Sequence, residues 1–101
     1  MFGDLMGKMK EAKAEVERVK QRLDTITVQG DSGNGKVKVV ATGNKKIVDV
    51  KIADDLLTNK EELEDYLVIA INNALKSAEN VHDSEMQSVA KGILPGMPGL
   101  F

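Results

Sequence analysis

His82 is the single histidine of the chain, and cysteine is absent. Without cysteine there is no disulfide, no thiolate metal site and no cysteine nucleophile. His82-Asp83-Ser84 has the residue types of a hydrolytic triad, but neighbours on a helix point about 100° apart and cannot converge on one bond. His82 with Glu85 and Met86 supplies too few ligands for a metal ion. Asp54-Asp55 and Glu61-Glu62 are paired carboxylates of the sort acid–base chemistry uses. They stand beside helix-start signals, however, where acids ordinarily complement the helix dipole. Gly30-Asp31-Ser32-Gly33-Asn34-Gly35 lacks the Lys-Ser/Thr ending of a P-loop and links two strands rather than a strand and a helix. The residues therefore argue against an enzyme and call for neither a cofactor nor a metal.

Lysine and arginine remain, and their chemistry is the neutralisation of phosphate. Among residues 1–24, Lys8, Lys10, Lys13, Arg18, Lys20 and Arg22 face five acids. Residues 25–53 carry five lysines, including Lys36, Lys38, Lys45 and Lys51, against Asp31 and Asp49, whereas residues 54–101 carry three lysines against nine acids. A net charge of −2 thus conceals a basic front and an acidic back, which can orient a protein on a polyanion. A plainer reading stands beside this one. Asp4–Lys8, Glu15–Arg18 and Glu17–Lys20 have the spacing of pairs that merely support a solvated helix. The three aromatics, Phe2, Tyr66 and Phe101, are too few to build stacking platforms for single strands.

These residues are positioned by an α+β arrangement: a helix, a three-stranded antiparallel meander and a long helix. From about Asp4 to Asp24, Leu5, Met9, Ala12, Val16, Val19 and Leu23 recur at alternating spacings of four and three, which is a heptad seam of the coiled-coil kind. Asp4 is a candidate N-cap. Strands are expected at Thr25–Gln29, Lys36–Thr42 and Lys45–Ile52, with a glycine turn after the first and a two-residue Gly43-Asn44 hairpin after the second. Period-2 alternation puts Ile26, Val28, Val37, Val39, Ala41, Val48, Val50 and Ile52 on one apolar face and most of the lysines on the other. A second helix should start after a cap at Thr58 or Asn59 and run from about Lys60 to Lys91, with Gly92 as its C′ residue. Its stripe is Leu63, Leu67, Ala70, Ile71, Ala74, Leu75, Ala78 and Val81, thinning afterwards to Met86, Val89 and Ala90.

At 101 residues the chain suits one domain, residues 1–92, followed by a flexible Pro/Gly-rich apolar tail, 93–101. The second helix, from about Lys60 to Lys91, spans roughly 48 Å, whereas a compact domain of this size has a radius of gyration of about 13 Å. It must therefore project. Projecting amphipathic helices and open sheet edges favour an intertwined symmetric homodimer. No run approaches the ~18 apolar residues of a membrane span, and the N-terminus lacks the features of a signal peptide. The expected location is the cytoplasm, with no membrane partner.

Several stretches, taken in order, carry a resemblance: Leu5-Met6-Gly7-Lys8-Met9, then Gly30 to Val39, Thr42-Gly43-Asn44, Val48-Asp49-Val50-Lys51-Ile52, Asp54-Asp55-Leu56-Leu57 and Leu94-Pro95-Gly96-Met97-Pro98-Gly99. Each is common alone, but their order and spacing over essentially the whole chain resemble the YbaB/EbfC family of bacterial nucleoid-associated proteins. The resemblance implies a homodimer with helices projecting like tweezers from a central sheet. It also implies binding to double-stranded DNA in the nucleoid and an effect on nucleoid organisation or gene expression. No helix-turn-helix or zinc-finger signature is present, so the expected contacts are to the backbone, with weak sequence preference. The candidates for them are Lys8, Lys10, Lys13, Arg18, Lys20, Arg22, Lys36 and Lys38. A protein-interaction or scaffold dimer is the alternative, its partner site being the acidic long helix or the apolar tail.

Overall fold

The computed structural model describes residues 2–93. Helix α1 (Phe2–Leu23) leads into strands β1 (Thr27–Ser32), β2 (Val37–Thr42) and β3 (Ile47–Ile52), a short 3-10 helix (Asp54–Thr58) and helix α2 (Lys60–Ile93). The sheet is an antiparallel meander in the order β1-β2-β3. The helix–meander–long helix expectation holds. Of the expected tail, Ile93 belongs to α2, and residues 94–101 lie outside the described residues. Gly92 does not stop α2, which carries through it to Ile93.

One face of the sheet packs on α2. Val37, Val39 and Ala41 of β2 are fully buried with Leu56 and the α2 alanines Ala70, Ala74 and Ala78, flanked by Val28, Ile52, Leu63, Tyr66, Leu67 and Ile71. The alanines matter because small side chains let the helix approach the strand backbone closely. Gly30 completes that approach: a Cβ there would stand 2.2 Å from the Ala74 nitrogen. β1 therefore begins and ends later than the sequence suggests. Gly30 is a contact point within the strand, and the turn is made by Gly33, Asn34 and Gly35, all at positive φ.

Two further features depart from the alternation pattern. The β2–β3 loop is Gly43–Lys46 rather than two residues, with Lys45 at φ 65° and the Thr42 hydroxyl accepting from the Asn44 and Lys46 amides. Beyond it the register slips, so that Val40 pairs with Asp49 but Ala41 pairs with Ile47, and Val48 is skipped. α2 lies over β1 and β2, which leaves the apolar side of β3 uncovered except at Ile52. Ile47, Val48 and Val50 are 41%, 56% and 40% exposed. The expected core face is thus covered on β1 and β2, while on β3 only Ile52, at its far end, packs against the core.

Asn59 is the cap of α2. Its Oδ1 accepts from the Glu62 amide at 3.2 Å, the cap bond, and its Nδ2 donates to Glu62 Oε2 at 2.9 Å, so the two side chains also bond each other, while the Asn59 backbone amide donates to the Leu56 carbonyl. Thr58 ends the 3-10 helix instead. The radius of gyration is 18.9 Å and the longest dimension 67 Å, well beyond a compact fold of about 13 Å. No helix among the described residues is long and apolar enough to cross a membrane.

Candidate nucleic-acid interface

Among the described residues, α1 is fastened to the body only at its C-terminal end. Val19 and Leu23 are fully buried, Leu23 against Gly43. The Asn44 Nδ2 donates to the Lys20 carbonyl at 2.8 Å and to Asp24 Oδ1 at 2.6 Å, tying the β2–β3 loop to the last turn of α1. Arg22 forms an ion pair with Glu85 of α2. Burial fades toward the N-terminus: Ala12, Glu15 and Val16 are half-buried, and residues 3–11 are all exposed. Only the C-terminal half of the heptad seam is covered among the described residues. Leu5, Met6 and Met9 are 56%, 58% and 64% exposed. The molecule's 67 Å length fits this arrangement, since α2 alone accounts for about 51 Å.

The eight basic candidates fall into groups that the linear sequence does not separate. Lys8, Lys10 and Lys13 lie on the exposed end of α1 and make no ion pair among the described residues. Arg18 is held by Glu15, Lys20 Nζ stands 3.9 Å from Glu17 Oε1, and Arg22 is held by Glu85. Lys36 stands in the turn just before β2, at the other end of that strand from the Asn44 loop that holds α1, with its Nζ 2.7 Å from Asp55 Oδ2. The hydrogen bond from Lys36 and its positive charge hold the Asp55 carboxyl below its ordinary range. The same hydrogen bond and the Asp55 charge push the lysine up. Close by, the hydrogen bond of Tyr66 to Glu62, followed by the Glu62 charge, raises the phenol.

Lys38 lies on the open face of the sheet. Its cross-strand neighbours are Asp31 on β1 and Lys51 on β3, with Asp49 one pair further along. Two lysines are thus offset there by two aspartates, and the open face is electrically mixed. Glu85 and Asp55 were not legible as partners of Arg22 and Lys36, because 63 and 19 residues separate them in the chain. His82 Nδ1 comes only within 3.5 Å of its neighbour Asp83, and the described residues hold no cluster of His, Cys, Asp or Glu suited to a metal ion.

Comparison with known proteins points one way. A sequence profile described as the YbaB/EbfC DNA-binding family matches residues 1–93. A nucleoid-associated protein of Flavobacterium johnsoniae is 40% identical over 96 residues, covering 95% of this chain and 91% of that one. A nucleoid-associated protein of Caldanaerobacter subterraneus is 34% identical over 102 residues, covering 99% and 90%. Among solved structures, an uncharacterised protein of Helicobacter pylori superposes with a TM-score of 0.78 at 28% identity, covering 93% of this chain and 97% of that one.

Proposed function

Since the chain belongs to the YbaB/EbfC DNA-binding family, a family that is not enzymatic, we propose that it acts in the nucleoid as a homodimer on double-stranded DNA. It holds the duplex mainly through the backbone, with weak sequence preference, and thereby influences nucleoid organisation or gene expression. The observation that carries this reading is the exposed end of α1, where Lys8, Lys10 and Lys13 are available to phosphates. The homodimer is supported by β3. It is an edge strand whose apolar side, Ile47, Val48 and Val50, is left bare by the subunit's own helices, and a second copy is the natural cover for such an edge. The test is fluorescence anisotropy of a labelled random duplex across a salt series, with light scattering for the assembly state. Affinity that falls steeply with salt, measured on a dimer, supports the reading. Absence of binding at low salt, or a monomer, counts against it.

One observation favours a second reading, a scaffold dimer that binds protein rather than DNA. Leu57, Val68 and Ile69 are exposed near the acidic start of α2, beside Glu61, Glu64 and Asp65. An apolar surface rimmed by acids suits a basic protein partner. A duplex titration that shows no binding selects this reading.

A further inference from the structure

The exposed end of α1 has an angular order that becomes clear when its residues are placed about 100° apart around the helix axis. With Met9 as the origin, Leu5 and Met6 fall within roughly 60° of it, forming one apolar stripe. Lys8 and Lys10 fall roughly 100° to either side. Asp4 and Glu11, the two acids of this segment, both fall on the far side, roughly 200–220° round. Further back along the helix, Lys13 joins Met6, Met9 and Lys10 in lining a shallow apolar hollow. The face that exposes Leu5, Met6 and Met9 is therefore framed by positive charge and has no acid on it.

Such a face matches the floor and walls of one groove. An α-helix with its side chains is about 10–12 Å across, which the major groove, about 12 Å wide, admits and the minor groove, about 6 Å wide, does not. The exposed residues 3–11 span about 14 Å, enough to cross it. Helical side chains lean toward the N-terminus, so these point to the free end. The apolar group that a major groove presents is the thymine methyl.

We propose that the exposed end of α1 enters the major groove of duplex DNA, placing Leu5, Met6 and Met9 against thymine methyls while Lys8 and Lys10 hold the phosphates on either side. This rests on the DNA reading above and adds a direction to its weak sequence preference, toward thymine. The lysines supply affinity that salt can screen, and the methionines supply the preference, because a flexible thioether adapts to methyl groups in several registers.

The test uses the full chain and two duplexes of one sequence, one with thymine and one with deoxyuridine in its place, so that only the methyls differ. Wild type should bind the deoxyuridine duplex about fourfold more weakly for each methyl buried. Met6→Ala/Met9→Ala changes only exposed positions and should narrow the difference between the two duplexes to the share that Leu5 contributes, with an unchanged salt slope. Lys8→Ala/Lys10→Ala should lower the slope and keep the preference. Equal, salt-dependent binding of both duplexes by wild type overturns the inference and leaves the DNA reading intact. No binding of either duplex at low salt overturns both. Capture of wild type on phosphatidylglycerol vesicles, lost in Met6→Ala/Met9→Ala while both proteins bind the two duplexes equally, also overturns it and assigns the stripe to a lipid surface.

Discussion

Gly30 of β1 and Ala74 of α2 meet backbone to backbone: a Cβ on Gly30 would stand 2.2 Å from the Ala74 nitrogen, 2.5 Å from the Ala70 carbonyl oxygen and 2.8 Å from the Ala74 Cα. None of these atoms is the end of a flexible side chain, so the helix itself must lift. Gly30→Ala should cost about 3 kcal/mol or more, at or beyond the upper end of overpacking penalties. Urea denaturation measures it. Gly7→Ala is the control, since a Cβ there meets nothing within 4 Å and replaces glycine inside an exposed helix. It should stabilise by about 0.5–1 kcal/mol.

Asn44 fixes the angle at which α1 leaves the body. Its amide donates to the Lys20 carbonyl and the Asp24 carboxylate together. The Lys20 carbonyl belongs to the last turn of α1, where it also accepts from the Asp24 amide at 3.2 Å, so the Asn44 amide is its second donor. Asn44→Ala should cost about 1 kcal/mol. It should also raise amide hydrogen exchange in the last two turns of α1 before any change appears in α2. Uniform exchange along both helices would count against this role.

Lys36 and Asp55 join the turn before β2 to the 3-10 helix across an exposed ion pair, and their shifts set two pH limits. The folded state lowers the Asp55 pKa, so its contribution is complete above the unfolded value of 3.8 and is lost as pH falls through the folded one. The folded state raises the Lys36 pKa, so its contribution is complete below 10.5 and is lost as pH rises through the folded one. Asp55→Asn should flatten the urea-midpoint profile at both ends relative to wild type. A profile that keeps its acid and alkaline slopes would show that the pair does not link pH to stability.

Much of this architecture is legible in the sequence because it is local. The 4-3 spacing from Leu5 to Leu23 marks α1, alternation marks β2, and Asn59 is one of the two cap candidates before α2. What is not legible depends on partners distant in the chain. Gly30 reads as a turn glycine until α2 lies against it, and β1 shifts accordingly. Val48 and Val50 continue the apolar alternation, but whether a valine on that face is covered depends on how far α2 reaches across the sheet. It covers two strands and leaves the third, Ile52 apart. The basic candidates show the same limit. The sequence offers the eight candidates as equivalent cations, whereas Arg22 and Lys36 owe their partners to Glu85 and Asp55, brought near by the fold.

Tyr66 reports on the start of α2. It is the only tyrosine, so the phenolate absorbance of the whole protein titrates this one group. Its pKa is raised from 10.0 chiefly by a hydrogen bond to Glu62. Glu62→Gln removes the charge, while the backbone amide that Asn59 caps is kept. The titration midpoint should therefore fall toward 10.0 with little change in helix content by circular dichroism. An unchanged midpoint would rule out Glu62 as the cause.

Arg22 and Glu85 make opposite predictions for stability and for DNA. Their ion pair joins α1 to α2, with the arginine half-exposed and the glutamate more enclosed. Exposed pairs contribute about 0–1 kcal/mol, so Glu85→Gln should lower stability by no more than that. It also frees a cation on the helix proposed to meet DNA and removes a repelling charge. One further phosphate contact steepens the dependence of log K on log salt by about 0.9. Glu85→Gln should therefore bind duplex more tightly at low salt, with a slope steeper by about that amount. Glu17→Gln should act in the same direction through Lys20, and less strongly, because that pair is already loose at 3.9 Å. If both variants bind as wild type does, the phosphates do not reach the C-terminal half of α1, and the contact is confined to its exposed end around Lys8, Lys10 and Lys13.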